Sequence, residues 1–341
     1  MNLSKLVDNR DNNFNLIRIL SAILVLVSHS YALSLGKGTH DPIGLGGKAV
    51  DVFFFTSGFL VTLSLMRSRS IIKFAASRIL RIYPALVVMT LLTTTTLGLY
   101  ASDKPFIDFA KSPTTKAYLW SCSTLIWGVS YELPGVFENN PYPKAVNGSL
   151  WTMPYEMYVY MGLATLWLLA NITGRNQYKT LAFMVFTYAG CCLFFIIDND
   201  FNTKLIPFIR LSFIFSLGSL FSIAKSRLII SWPIFLLTIT LSSTITLTTG
   251  LDKMAWLVTL PYLVLFVAYD KSLIFSSYNK IGDYSYGLYI YAFPVQQFIA
   301  SKVTNITPGN MIIASSIITL ILSALSWHMI EQHALKLKRL F

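Results

Sequence analysis

What most limits the fold of this chain is the recurrence of apolar runs about as long as a bilayer is thick. With stretches of about 17 or more mainly apolar residues taken as membrane crossings, there are ten, near residues 16–35, 49–66, 82–100, 150–170, 180–197, 205–224, 228–249, 254–269, 284–303 and 311–331. Inside hydrocarbon every backbone N–H and C=O must be paired within the protein, and a helix does this within a single segment. The expected fold is therefore all-α: a polytopic integral membrane protein of about ten transmembrane helices, forming a single domain over 1–341. A composition of 54% hydrophobic and 12% charged residues agrees with it. No early stretch pairs a short apolar core with a small-residue cleavage site, so the first run reads as a retained span.

The basic residues set the orientation. Grouping alternate loops with nearby span ends puts seventeen of the 27 lysines and arginines on one side, Lys5, Arg10, Arg67, Arg175, Lys225 and Lys336 among them. Cytoplasmic loops carry such an excess, so both termini are expected in the cytoplasm. Topology also accounts for the net charge of +12, and no nucleic-acid partner is expected. The one long link, from about 101 to 148, falls on the outer side. It holds five prolines and an apolar piece, Tyr118 to Val129, too short to cross, which reads as a re-entrant or surface helix. A link of this length is expected to cover an outward-facing site.

Metal chemistry finds no support. Cys122, Cys191 and Cys192 lack ligand spacing, and His29, His40, His328 and His333 are scattered, with no paired histidines one helical turn apart around a glutamate.

Within the apolar runs, ionisable side chains stand out because each costs at least a few kcal/mol at bilayer depth and so turns towards a bundle interior or a water-filled cavity. Arg18 and His29 share the first run. Eleven residues at about 100° each return to within roughly 20° of the start, which places the two on one helical face about 16 Å apart. On the residues alone, Arg18 also fits a side chain snorkelling to the headgroups and His29 a structural hydrogen bond. Asp51 opens the second run, either as a functional carboxylate or as a helix cap. Beside it, Ser57 and Gly58 allow close helix packing. Arg67, Arg69, Lys73, Arg78 and Arg81 follow, with Arg78 and Arg81 one turn apart. Such a cluster either holds an anionic, nucleotide-like ligand or fixes topology against anionic lipids. Glu156, two turns into the fourth run, comes to roughly the depth of His29, where the two would form a general base and its partner or a buried structural pair.

These stretches together resemble the membrane-bound acyltransferase family 3, the group that contains bacterial and phage O-antigen acetylases. The resemblance runs through nearly the whole chain: Arg18 and His29 ten residues apart, the run Val50 to Leu60, Arg78-Ile-Leu-Arg-Ile-Tyr-Pro84, Ser149-Leu-Trp-Thr-Met-Pro-Tyr-Glu156, Gly282-Asp-Tyr-Ser-Tyr-Gly-Leu-Tyr289 and the late Ile330-Glu331. It implies an O-acetyltransferase of the bacterial inner membrane. Cytoplasmic acetyl-CoA would be the donor and a sugar hydroxyl of a surface polysaccharide, or of a lipid-linked oligosaccharide, the acceptor. Under it, His29 becomes the catalytic base, with Glu156 and Asp51 beside it as catalytic carboxylates. Arg18, Arg78 and Arg81 are assigned to the coenzyme A phosphates, and Ser149, Trp151 and Tyr286 to the acceptor.

Two departures limit the transfer of roles. Where family members often carry a His-Pro or similar polar pair, this chain has Ala292-Phe293-Pro294, so that stretch is given no chemistry. After the last run only Lys336 to Phe341 remain, which corresponds to a membrane-only form with the acceptor handled by the spans and their outer loops. The rival classes are a transporter or flippase for a lipid-linked sugar, weakened by the lack of matched broken helices in the two halves, and the same chemistry on another cell-envelope glycan.

Overall fold

A computed structural model describes residues 1–8, 11–172, 176–197 and 205–341. Arg10 and Arg175, used above for orientation, lie outside these residues. The helices are α1 (Leu3–Asp8), α2 (Phe14–Leu35), α3 (Leu45–Ser68), α4 (Ile71–Tyr100), α5 (Phe106–Lys111), α6 (Pro113–Thr124), α7 (Met153–Ile172), α8 (Gln177–Ile197), α9 (Ile206–Ile223), α10 (Trp232–Thr249), α11 (Asp252–Tyr269), α12 (Ser285–Lys302), α13 (Pro308–Ser326) and α14 (Gln332–Lys336). Among the described residues the only strand-like pairings are two isolated bridges, Asn2 with Ile229 and Glu132 with Ala145.

Each of the ten expected spans falls on one of the long helices, and eight of these, all but α7 and α12, are long and apolar enough to cross a membrane. The chain is thus a multi-pass membrane protein. Those two carry polar side chains within their apolar stretches: the partly buried Glu156 on α7 and the buried Gln296 and Gln297 on α12. Helix α4 begins at Ile71, eleven residues before the apolar run, where the Ser70 hydroxyl caps it by accepting from the Lys73 amide at 3.3 Å. Hydropathy marks the bilayer's thickness, whereas backbone hydrogen bonding carries the helix on past it.

The chain divides into two compact units. One comprises Met1–Arg18, Asp51–Arg69 and Tyr158–Gly282. Here α3 and α9 meet backbone to backbone: a Cβ on Gly58 would stand 2.0 Å from the Phe215 oxygen, and one on Gly218 2.3 Å from the Phe55 oxygen. Glycine is what permits that approach. Thr62 then donates to Ser219 across the seam at 2.9 Å. Asn13 ties the chain entering α2 to the end of α11, donating to the oxygens of Ala268, Val267 and Leu273 and accepting from the Phe275 amide at 2.8 Å.

The other unit comprises Ile19–Val50, Ser70–Met157 and Asp283–Phe341. Its helices α12 and α13 pack closely where a Cβ on Gly287 would stand 2.8 Å from the Ser323 Cα. The link 101–148 folds back along α4. At the near end the Phe109 ring occupies the space beside Gly98, and at the far end the Tyr83 hydroxyl donates to the Thr124 oxygen at 2.8 Å. From Gly98 to Tyr83, α4 rises about 22 Å, a large part of the roughly 30 Å hydrocarbon thickness. Helix α6 therefore packs along α4 over much of that length. It starts five residues earlier than the apolar piece suggests and stops at Leu125, whose left-handed conformation ends the helix. The returning chain is pinned to α12 by Gln297, which donates to the oxygens of Tyr142 and Ala145 at 2.8 and 2.6 Å.

Candidate active site

His29 lies on the part of α2 that belongs to the second unit and keeps some of its surface open. Its Nδ1 stands 3.4 Å from the hydroxyl oxygen of Ser149, and its ring meets Phe293 edge-on with centroids 5.2 Å apart. Ser149 thus stands at the imidazole, where the sequence reading expected a carboxylate. Phe293 reaches the histidine because residue 148 is glycine: a Cβ there would stand 2.6 Å from the phenyl ring.

The position of Ser149 follows from a proline. Pro294 has no N–H, so the Ile290 carbonyl one turn earlier loses its helical partner. Asn147 fills that vacancy, its Nδ2 donating to the Ile290 oxygen at 2.9 Å. The tight turn Gly148–Thr152 is thereby anchored to α12. Two further bonds hold it: Tyr289 donates to the Ser149 carbonyl at 2.8 Å and shares a proton with the Thr152 hydroxyl at 2.6 Å. Trp151, partly exposed, meets Tyr155 edge-on at 5.9 Å.

A second cluster surrounds Arg81. Its guanidinium pairs with Asp283 at 2.5 Å and with Glu331 at 3.2 Å and lies over the rings of Tyr286 and Trp327. Asp283 also caps α12 through Ser285, and Glu331 accepts from Ser326 at 3.0 Å. Tyr286 is buried here and donates to the Ile82 oxygen at 2.8 Å. Glu156 acts electrostatically on Arg81, Tyr286 and Tyr289, so its field belongs to this cluster. Arg78, one turn before Arg81, and Lys338 near the C-terminus are close enough to repel each other.

Asp51 and Arg18 belong to the first unit. The buried Asp51 carboxylate receives Arg210 at 3.0 and 3.1 Å and the Trp256 indole N–H at 3.0 Å, which ties α3, α9 and α11 together. Arg18 is partly exposed on the first turns of α2.

Several residues that build these sites were not singled out in the sequence. Arg210 lies alone in an apolar run and Gln296 follows Pro294; both are polar groups at bilayer depth, which is itself a signal. Asp41, in the loop between α2 and α3, gave none. Its carboxylate accepts from the Ser28 hydroxyl at 2.5 Å and from the amides of Leu45 at 2.7 Å and Ile43 at 3.2 Å. Burial pushes this carboxyl up, but the Ser28 hydroxyl and the amides of Leu45, Ile43 and Gly46 outweigh it and hold it below the usual carboxylate range.

A half-buried imidazole in a helical membrane protein, with a serine hydroxyl at its Nδ1, suits group transfer within the membrane. The model of the acyltransferase domain family matches residues 11–328, and the chain belongs to that family, the acyltransferase family 3. It is an acyltransferase. Among its relatives, the O-acetyl transferase of Shigella phage Sf6 is 29% identical over 348 residues, covering 96% of this chain and 97% of the relative. Nodulation protein 10 of Rhizobium leguminosarum bv. viciae is 28% identical over 367 residues, covering 96% and 94%. No solved structure matches.

Proposed function

We propose that this protein is an O-acetyltransferase of the bacterial inner membrane that moves an acetyl group from acetyl-CoA to a sugar hydroxyl of a surface polysaccharide, such as lipopolysaccharide O-antigen, or of its lipid-linked precursor. The observation that carries the reading is the His29–Ser149 pair within an acyltransferase-family chain. The phage relative, named an O-acetyl transferase, supports the acyl group and the oxygen acceptor.

In this reading the imidazole of His29 takes the proton of the sugar hydroxyl as that oxygen attacks the thioester carbonyl. The C–S bond breaks, and coenzyme A leaves as its thiol by taking that proton from the imidazolium, which returns His29 to its neutral form. Ser149 at Nδ1 holds the ring so that Nε2 faces the substrates, the part played by the orienting group of a catalytic triad. Glu156 acts at one remove, through Tyr289 and the Ser149 carbonyl. Trp151 and Tyr155 offer aromatic faces to the acceptor, and Tyr286 supports Arg81. Arg18, Arg78 and Arg81 are assigned to the donor's phosphates. Arg81 already neutralises Asp283 and Glu331, so the positive charge offered to the phosphates beside it is that of Arg78 and Lys338.

The test uses membranes holding the wild type or His29→Ala, acetyl-CoA labelled in the acetyl group, and O-antigen or other envelope glycans as acceptors. Label should enter the glycan with the wild type and fall by about a hundred- to ten-thousand-fold with the variant. Equal labelling by the two would remove His29 from the chemistry, and no labelling of any glycan by the wild type would sink the reading.

A further inference from the structure

The turn of α2 that carries His29 is held by hydrogen bonds on both of its flanks. Ser28 donates to Asp41 at 2.5 Å. Gln296 donates to the Ser30 hydroxyl at 2.7 Å and to the Leu26 carbonyl at 2.9 Å. Residues 28 and 30 point about 200° apart around a helix, with residue 29 between them. The two bonds therefore resist rotation of the helix in opposite senses.

Both restraints are built in, not incidental. Asp41 cannot swing away, because its other oxygen is bound by the amides of Ile43 and Leu45 at the start of α3. Gly46 lets that start press against Ser28: a Cβ there would stand 2.6 Å from the Ser28 hydroxyl oxygen. Gln296 is wholly buried, and its carrier α12 also bears Phe293 against the imidazole and the Ile290 carbonyl that anchors Ser149.

We infer that Asp41 and Gln296 are positioning residues for His29, fixing the azimuth of its helical turn although neither touches the ring. The leverage is large. A side chain reaches about 6 Å from the helix axis, so a 10° rotation displaces it by about 1 Å, and an error of that size at a reacting group costs up to about a hundredfold in rate. A rotation confined to the turn that carries His29 leaves Arg78 and Lys338, on other elements, where they were, and Arg18 lies about 16 Å away along α2, so donor affinity should not follow.

The inference rests on His29 as the base, and the experiment separates the two. Acetyl-transfer kinetics are measured for Asp41→Ala, Ser28→Ala and Gln296→Ala, and in the same preparations the reaction of each histidine with diethyl pyrocarbonate is followed by mass spectrometry. The expected result is a kcat lower by about ten- to a hundredfold at unchanged KM for acetyl-CoA, with altered modification of His29 and unaltered modification of His328 and His333. Asp41→Asn, still able to bond Ser28 and the amides, should restore most of the rate. If Asp41→Ala does not accumulate, Ser28→Ala removes the same restraint while Asp41 still caps α3. Wild-type modification of His29 in these variants overturns the inference, whether or not the rate falls. Should His29→Ala transfer acetyl normally, the base assignment fails alone, and the modification rates still decide whether the turn is held.

Discussion

Asn147 donates to the carbonyl of Ile290 at 2.9 Å, the carbonyl in α12 that Pro294 deprives of its helical partner. A break in one helix is thus the docking point for the turn that brings Ser149 to His29. Asn147→Leu should leave that buried carbonyl unpaired, at a cost of about 1–3 kcal/mol, and should lower kcat because Ser149 lies two residues away. Thermal unfolding in detergent, paired with acetyl-transfer rates, checks both; an unchanged midpoint would mean the carbonyl finds another donor.

Arg78 and Arg81 are one turn apart but should answer differently to removal. Arg81→Ala strands Asp283 and Glu331, the latter with a side chain 1% exposed, and breaking such a buried pair costs about 3–5 kcal/mol. Arg78→Ala should leave stability unchanged and raise KM for acetyl-CoA. Melting curves and donor titrations on the two variants distinguish the structural cation from the binding one.

Asp51 should behave as a tie between helices. Arg210→Met leaves its carboxylate, 1% exposed, without a counter-charge, and should destabilise by about 3–5 kcal/mol. Adding Asp51→Asn, which keeps an acceptor for the Trp256 indole, should recover most of the loss. Unfolding midpoints of the single and double variants measure it, and equal losses in both would exclude the uncompensated charge as the cause.

Asp41 sets an acid limit. Its carboxyl titrates below the usual range in the folded protein, so its contribution to stability is complete above the ordinary aspartate value of about 3.9 and is lost as pH falls from there through the lowered value. As pH falls below about 4 the wild type should lose more stability than Asp41→Asn, which has no proton to take up there. Parallel slopes of unfolding midpoint against pH would count against the depressed carboxyl.

Much of the architecture was legible from hydropathy, because each long helix satisfies its own backbone and needs only a run of apolar residues. The close approach at Gly58 was legible for a similarly local reason, the absence of a side chain. The start of α4 and the ends of α6 were misplaced because hydropathy says where lipid lies, not where hydrogen bonding stops. His29 was legible as a costly polar group, and so were the motifs shared with the acyltransferase family. The serine beside His29 was not: depth suggested a carboxylate, and Pro294 and Asn147 bring Ser149 to the ring.

From the amino-acid order alone came the helices, their approximate number and the polar groups that had to face inwards, since those follow from interactions within a few residues or from the cost of exposing charge to lipid. Only the tertiary structure decided which inward groups meet. Ser149 is 120 residues from His29 and Arg210 is 159 from Asp51, and such pairings depend on the rotation and depth of each helix. A glycine seam, a missing proline N–H or a hydrogen bond to one neighbouring serine sets these, and helical periodicity leaves them open.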